Sequence, residues 1–523
     1  MNRKLFLRPL VVLWMALATL VVSAGLPRSA TNRQGVGSEA LMQLINDLRS
    51  QPFTELHHLV VVKNGNIITE IHAAPYRATD THNQFSASKM LTALAVGLAV
   101  QDGKLSLDDK LGDISVRHLL TMTSGKQVNT QIRDTSDNWM ESWLALPGTA
   151  PGEKFAYDTM SAFILSALVQ RATGCTMLDY LWERIFQPMG ITDVEWELSP
   201  DGINTGGWGV RCSTLSMAML GQLVLQRGQW NGKQLIGAQW IDMMIQDQLP
   251  SLGIIPSHRD DYNHGYGFQM WLNAYPGTIR AQGNFGQLVY IVPADSLVIA
   301  VNAAATDQLA ILRVVQRDAP LLSSRKATNL PLLNNLLALP LPQGKCWSQD
   351  SDTLLVTLAS NKHGIQSLEL RRDSTRAWLD ICRDDGTSER ILLSFNHWEY
   401  GRLVGTPPYN IGAKNRFSGM DKGFSVAGAY AWTMGHQLII QLHYVDWYSA
   451  LSILIDLHRG VATLTSNTSA NRPEIVTCSV DVSDQQTTFH ACRTAWIAGC
   501  VALLVILFVI AMGFAVRCMI GKE

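Results

Sequence analysis

The sequence predicts an α+β domain, an antiparallel sheet with helices, followed by an all-β domain and one C-terminal transmembrane helix. Three observations carry this. Hairpin signals at 57–73 and 288–301 bracket a helical middle, so the strands at both ends of the segment share one sheet. After about residue 345 the pattern alternates with the period of a strand. Near the end of the chain, residues 495–516 contain no charge, enough to span roughly 30 Å of hydrocarbon as a helix.

Composition narrows the class. Of 523 residues 47% are apolar and 16% charged, which excludes a disordered chain. Lys plus Arg is 42 and Asp plus Glu is 43, so no basic excess points to nucleic acid. At the start, Arg3, Lys4 and Arg8 precede an uncharged run, with Val22 and Ala24 at small-residue cleavage positions. Residues 1–24 therefore read as a secretory signal peptide. Trp496 suits a membrane interface, and Arg517 and Lys522 put the short tail in the cytoplasm. The body is then expected on the periplasmic or extracellular side, tethered to the membrane by one helix. In that compartment Cys346, Cys382, Cys478 and Cys492 allow one or two disulfides, of open pairing. No Cys-x-x-Cys or His-Glu-x-x-His spacing occurs, so no metal and no cofactor is expected.

In chain order, β-branched runs flank Asn64-Gly65, the signature of a two-residue hairpin turn. Residues 85–101 follow with Lys89 as their only charge, which predicts a helix buried all round. Helical patterning continues to about 250. A second hairpin is predicted at 288–292 and 297–301 around Pro293-Ala-Asp295, and a closing helix at 306–317. This delimits a domain at 36–325 and a connector at 326–344. Residues 345–490 form the all-β part, sandwich or small barrel, where Leu438, Ile440, Leu442 and Tyr444 alternate with other residues.

The chemistry centres on Ser86-Ala-Ser-Lys89. Residues i and i+3 share a helix face, so hydroxyl and amine are neighbours. The ordinary reading is a helix cap and a surface lysine; the charge-free helix argues against it. A buried lysine loses its proton more readily and becomes a plausible general base. Tyr157-Asp158-Thr159 follows Pro151-Gly152, and Gly283-Asn284-Phe285-Gly286-Gln287 leads into a strand. A glycine-flanked strand edge admits a substrate backbone, and its N–H groups with that of Ser86 suit an oxyanion hole. Four further candidates read more simply as packing or loop residues: His82, His264, Trp208 and Trp271.

Taken together, these segments resemble the serine β-lactamase and penicillin-binding-protein superfamily, in its class C-like branch of esterases, D-aminopeptidases and 6-aminohexanoate-dimer hydrolases. Ser86 and Lys89 match its first motif, Tyr157 the tyrosine of its second, and Gly286 the glycine of its third. Supporting stretches are 105–111, 118–125, 186–191 and 206–210. The resemblance implies a β-lactamase/DD-peptidase-like fold and two-step acyl transfer to water. Ser86 would be the nucleophile and Lys89 and Tyr157 the proton carriers. The N–H groups of Ser86 and Gln287 would hold the oxyanion.

Two positions depart from the motifs. Thr159 stands where Asn is frequent, and Asn284 where Lys or His is frequent. The missing cation implies a preference for neutral substrates, unless an arginine such as Arg211 replaces it. The function expected is a membrane-tethered serine hydrolase acting on an amide or ester of a small molecule or peptide. The alternative is a penicillin-binding-like module, slowly acylated or inert, that binds or senses cell wall.

Overall fold

The computed structural model describes residues 25–249, 260–262, 264–324, 338–346, 352–373, 376–433, 436–467 and 473–481. The expected signal peptide and the charge-free segment 495–516 lie outside the described residues. Among the described residues no helix is long and apolar enough to cross a membrane.

The chain divides into two units. The first runs to Leu339 and takes in Pro408–Lys422 and Val445–Tyr448. It starts with α1 (Ser38–Arg49), β1 (Thr54–Lys63) and β2 (Asn66–His72). Asn64 at φ 50° and Gly65 at φ 72° make the tight turn between these strands. After the helical middle come β3 (Trp271–Leu272), β4 (Ile279–Gly283), β5 (Gln287–Val292) and β6 (Leu297–Ala305), then α5 (Gln308–Ser324). Strands from both ends of the unit form one antiparallel sheet, in the order β3-β4-β5-β6-β1-β2. β6 is buried along its whole length because it is central and both sheet faces are covered. One face packs Leu288, Tyr290 and Ile299 against Leu44 of α1 and Val315 of α5. The other receives Gly221 of a helix at Thr214–Leu225, where any Cβ would lie 2.7 Å from Val289 and 2.9 Å from Val298.

The predicted buried helix is α2 (Lys89–Gln101), in which every residue from Lys89 to Ala99 is buried. A 3-10 turn, Phe85–Ser88, precedes it, so Ser86 sits on that turn rather than on the helix proper. Under β1 and β2 four histidines meet in the interior. His57 Nδ1 lies 3.0 Å from His82 Nε2, and His58 Nδ1 lies 2.8 Å from His72 Nδ1.

Among its described residues the second unit is all β, with ten strands from Thr353–Leu358 to Glu474–Asp481. A parallel pairing of Ser394 with Ala429 joins distant positions in the strand order and closes the sheet into a barrel. Its strands alternate as expected, with Leu438, Ile440, Ile453 and Ile455 buried in the core. Among the described residues Cys346, Cys382 and Cys478 form no disulfide with one another, while Cys492 lies outside them.

Candidate active site

The turn that carries Ser86 is built by its neighbours. Phe85 is left-handed at φ 46°, a strained geometry for a residue with a Cβ. Its N–H donates to Asn83 Oδ1 at 2.9 Å, and its carbonyl accepts from Ser88 Oγ at 2.6 Å. Ser86 alone in this turn keeps some exposure; Phe85, Ala87 and Ser88 are buried.

Lys89 projects from the first turn of α2 and is 1% exposed. Its Nζ donates to Ser86 Oγ at 3.0 Å, Thr159 Oγ1 at 3.3 Å and the Gly207 carbonyl at 2.7 Å. All three partners are neutral. Burial draws the ammonium down to about 7; the Asp158 carboxylate opposes this and the Arg133 charge adds to it. Thr159 thus meets the lysine from the position where the resemblance expects Asn.

Tyr157 lies over the same group, with the Lys89 Nζ 4.8 Å from its ring centroid. Burial raises its hydroxyl, and a hydrogen bond with Ser86 works in the opposite direction. Trp271 stacks on the Tyr157 ring at 5.3 Å and 24°. Arg280 lies behind Trp271, its Cζ 5.5 Å from that ring, and is fully buried. Next in the chain, Asp158 caps the helix Thr159–Thr173. Its carboxylate accepts from Trp143 Nε1 at 2.7 Å, Met160 N at 2.9 Å and Ser161 Oγ at 3.1 Å.

The strand opposite Ser86 is β4, which sequence patterning did not reveal. Gly283, its last residue, abuts the nucleophile turn: a Cβ there would lie 2.3 Å from the Gln84 carbonyl and 3.0 Å from Phe85 Cβ. A Cβ on Gly286 would instead lie 2.9 Å from Ile311 and 3.3 Å from Ala303. Residues 284–286 form a turn, with Asn284 exposed and Phe285 at φ 59°. Gln287 is fully buried at the start of β5. Its side chain donates to Asn284 O at 3.0 Å and Ala303 O at 2.8 Å, and accepts from Asn302 Nδ2 at 2.8 Å. Asn302 Nδ2 also donates to Gln84 Oε1 at 3.0 Å. A buried amide chain, Gln287–Asn302–Gln84, thus ties the strand to the residue two before Ser86.

Other sequence candidates fall into place by their partners. Both ring nitrogens of His82 are engaged, by His57 at 3.0 Å and by the Asn83 carbonyl at 3.1 Å, so no Ser86–His82 dyad forms. His264 is exposed. Arg211 is buried in an ion pair with Glu195, its Nε donating at 3.0 Å, and does not replace a substrate-binding cation.

Two late segments of the chain complete the first unit, and nothing in their sequence announced it. Tyr448 stacks on Phe285 at 4.9 Å and 15°, and meets Phe85 edge-on at 4.7 Å. Tyr409 lies 6.2 Å from Phe85 and donates to Glu197 Oε2 at 3.3 Å. Glu197 also accepts from Phe417 N at 2.8 Å, and burial raises its carboxyl to about 7.

A family model described as Beta-lactamase matches residues 57–316. The 6-aminohexanoate-dimer hydrolase of Paenarthrobacter ureafaciens is 20% identical over 283 residues, 47% of this chain and 71% of that one. Monacolin J acid methylbutanoyltransferase of Aspergillus terreus is 32% identical over 109 residues, 18% of this chain and 26% of that one. A penicillin-binding protein structure from Bacillus halodurans is 18% identical with a TM-score of 0.42, and covers 53% of this chain and 98% of that one.

Proposed function

We propose, for a chain that belongs through residues 57–316 to the serine β-lactamase and penicillin-binding-protein superfamily and is a serine hydrolase, that an amide or ester is cleaved through an acyl-enzyme on Ser86. The observation that carries this is the 3.0 Å contact between Lys89 Nζ and Ser86 Oγ, made by an amine held near pKa 7.

In the first step neutral Lys89 takes the Ser86 hydroxyl proton as Oγ bonds to the substrate carbonyl carbon. The carbonyl electron pair moves to oxygen. The N–H of Ser86 and an N–H of the segment 283–287 stabilise that oxyanion. As the tetrahedral centre collapses, the bond to the leaving amine or alcohol breaks. The proton returns from Lys89, with Tyr157 at its side, to the leaving group. Water then attacks the acyl carbon, gives its proton to Lys89, and Ser86 leaves reprotonated. The names of two relatives, a 6-aminohexanoate-dimer hydrolase and a methylbutanoyltransferase, support acyl chemistry.

The same reading extends to location. The charge-free segment 495–516 and the leader-like 1–24 support an exported enzyme tethered by one C-terminal helix. Recovery of the full chain from gently lysed cells in the soluble fraction, without detergent, would refute the tether.

Labelling with a fluorophosphonate probe tests the chemistry. Wild type is expected to label covalently at Ser86 and to hydrolyse p-nitrophenyl esters, and Ser86→Ala is expected to do neither while melting as wild type does. A Ser86→Ala variant that keeps more than a few per cent of the turnover would move the nucleophile elsewhere.

A further inference from the structure

The charge of Arg133 acts on Lys89. Arg133 sits on a short helix, Ile132–Thr135, and is half-buried. Its Cζ lies 5.0 Å from the Trp208 ring centroid. Trp208 follows Gly207, whose carbonyl accepts from Lys89 Nζ at 2.7 Å. The guanidinium thus lies against the side chain of the residue that follows the lysine's own acceptor. Its Nε donates to the Thr130 carbonyl at 3.0 Å, and among the described residues its Nη groups make no hydrogen bond or ion pair.

Its surroundings hold it in place without neutralising it. The Arg133 carbonyl accepts from Lys414 N at 2.7 Å, and Lys414 Nζ pairs with Asp137 at 2.8 Å. Beside it, Asp134 packs so closely on Gly412 that a Cβ there would lie 2.3 Å from Oδ1. Segment 408–422 thus clamps the helix that bears the guanidinium. Asp134, Asp158, Glu197 and Tyr409 are the groups whose charge acts on Arg133. Asp158 is already committed to three donors, and Glu197 to Tyr409 and Phe417. Burial lowers the Arg133 pKa, as expected of a cation partly stripped of water without a bonded counter-ion.

We infer that Arg133 binds a carboxylate on the acyl half of the substrate, so that the preferred substrate is an acyl donor with a second, anionic end. The assignment rests on the acyl-enzyme reading above. The acyl half follows from the arrangement around Lys89. Tyr157, with Trp271 stacked on its ring, lies 4.8 Å from the Nζ, and the proposed mechanism delivers the leaving-group proton there. The Nζ also donates to the Gly207 carbonyl, and the next residue, Trp208, carries Arg133 on its ring, which we assign to the acyl half. An arginine fork matches a carboxylate with two parallel charge-assisted bonds.

The test compares p-nitrophenyl hydrogen glutarate with p-nitrophenyl methyl glutarate on the full chain. Wild type is expected to favour the acid in kcat/KM, with the preference falling as salt is added. Arg133→Gln is expected to lower the acid-to-methyl-ester ratio of kcat/KM by about tenfold to a hundredfold, mainly through KM for the acid. Its charge also acts on Lys89, so both esters share a smaller change that cancels in the ratio. Arg133→Lys is expected to recover part of the ratio, and both variants still label at Ser86 with the fluorophosphonate. The inference is overturned if wild type shows no salt-sensitive preference for the acid, a result that needs no variant to fold. It is also overturned if Arg133→Gln lowers both esters equally, which marks a structural arginine, or lowers neither. It is likewise overturned if the effect appears only with a carboxylate on the leaving group. If wild type fails to label at all, the acyl-enzyme reading falls first.

Discussion

The carboxylates of the barrel and the lysine of the first unit bury charge in opposite ways. In the barrel, buried carboxylates are matched by arginines: Asp380 accepts from Arg390 Nε at 2.6 Å, and Glu389 from Arg383 Nε at 3.2 Å. In the first unit Lys89 is just as deep, yet its three hydrogen-bond acceptors are neutral oxygens. A paired buried charge stays charged and serves the fold. An amine that loses water and gains only neutral acceptors is pulled toward its uncharged form, and so becomes reactive near neutral pH. Arg211 with Glu195 shows that the first unit also builds paired charges where no chemistry is expected.

The largest effect should come from the lysine. Lys89→Met, close in size and chargeless, is expected to lower kcat/KM by about 10²- to 10⁴-fold with little loss of stability. The sign of the pH dependence follows from the direction of its shift. Lys89 acts as a base only when neutral, so wild-type kcat/KM should fall about tenfold per unit as pH drops below about 7. A profile that is flat from pH 5 to 8, or a Lys89→Met variant of unchanged rate, would place the base elsewhere and erase the contrast.

A smaller effect tests the approach of β4 to the nucleophile. Gly283→Ala puts a methyl 2.3 Å from the Gln84 carbonyl, and a backbone atom cannot yield as a side chain can. Displacing the strand is expected to cost about 1–3 kcal/mol in stability and up to about a hundredfold in kcat, since misplacement of about 1 Å is enough. In the barrel, Gly401 has open space and an ordinary φ, so Gly401→Ala is the control and should change neither. Full activity in Gly283→Ala would mean that the oxyanion strand is set by other contacts.

The smallest effect is expected from a barrel pair. Arg390 is 42% exposed, so Asp380→Asn removes an ion pair that water can largely replace. The cost should be about 1 kcal/mol or less, with kcat and KM unchanged. A large loss of turnover in this variant would show that the barrel's charges reach the chemistry.

Much of the first unit was legible because its signals are local. The Asn64-Gly65 turn, the charge-free run around Lys89 and the Pro293-Ala-Asp295 turn each lie within a few residues, and each marks the element that forms there. β3 and β4 left no such trace: one is two residues long, and the other carries Arg280 and Gln282 among apolar neighbours. That Gly283 meets the nucleophile turn is decided by the register of β4 against β5, which no local pattern encodes.

By itself, the sequence determined the α+β and all-β character of the two regions and the Ser86–Lys89 pair, because helix and strand periods and an i, i+3 spacing are properties of neighbouring residues. The tertiary structure decided the rest of the site. Arg133, Glu197, Gly283, Asn302, Tyr409 and Tyr448 come from segments up to about 315 residues apart, and Glu197 accepts from Tyr409, 212 positions further on. No periodicity links such residues. What joins them is the packing of closed sheets and helices, where a buried donor must find an acceptor wherever the fold happens to bring one.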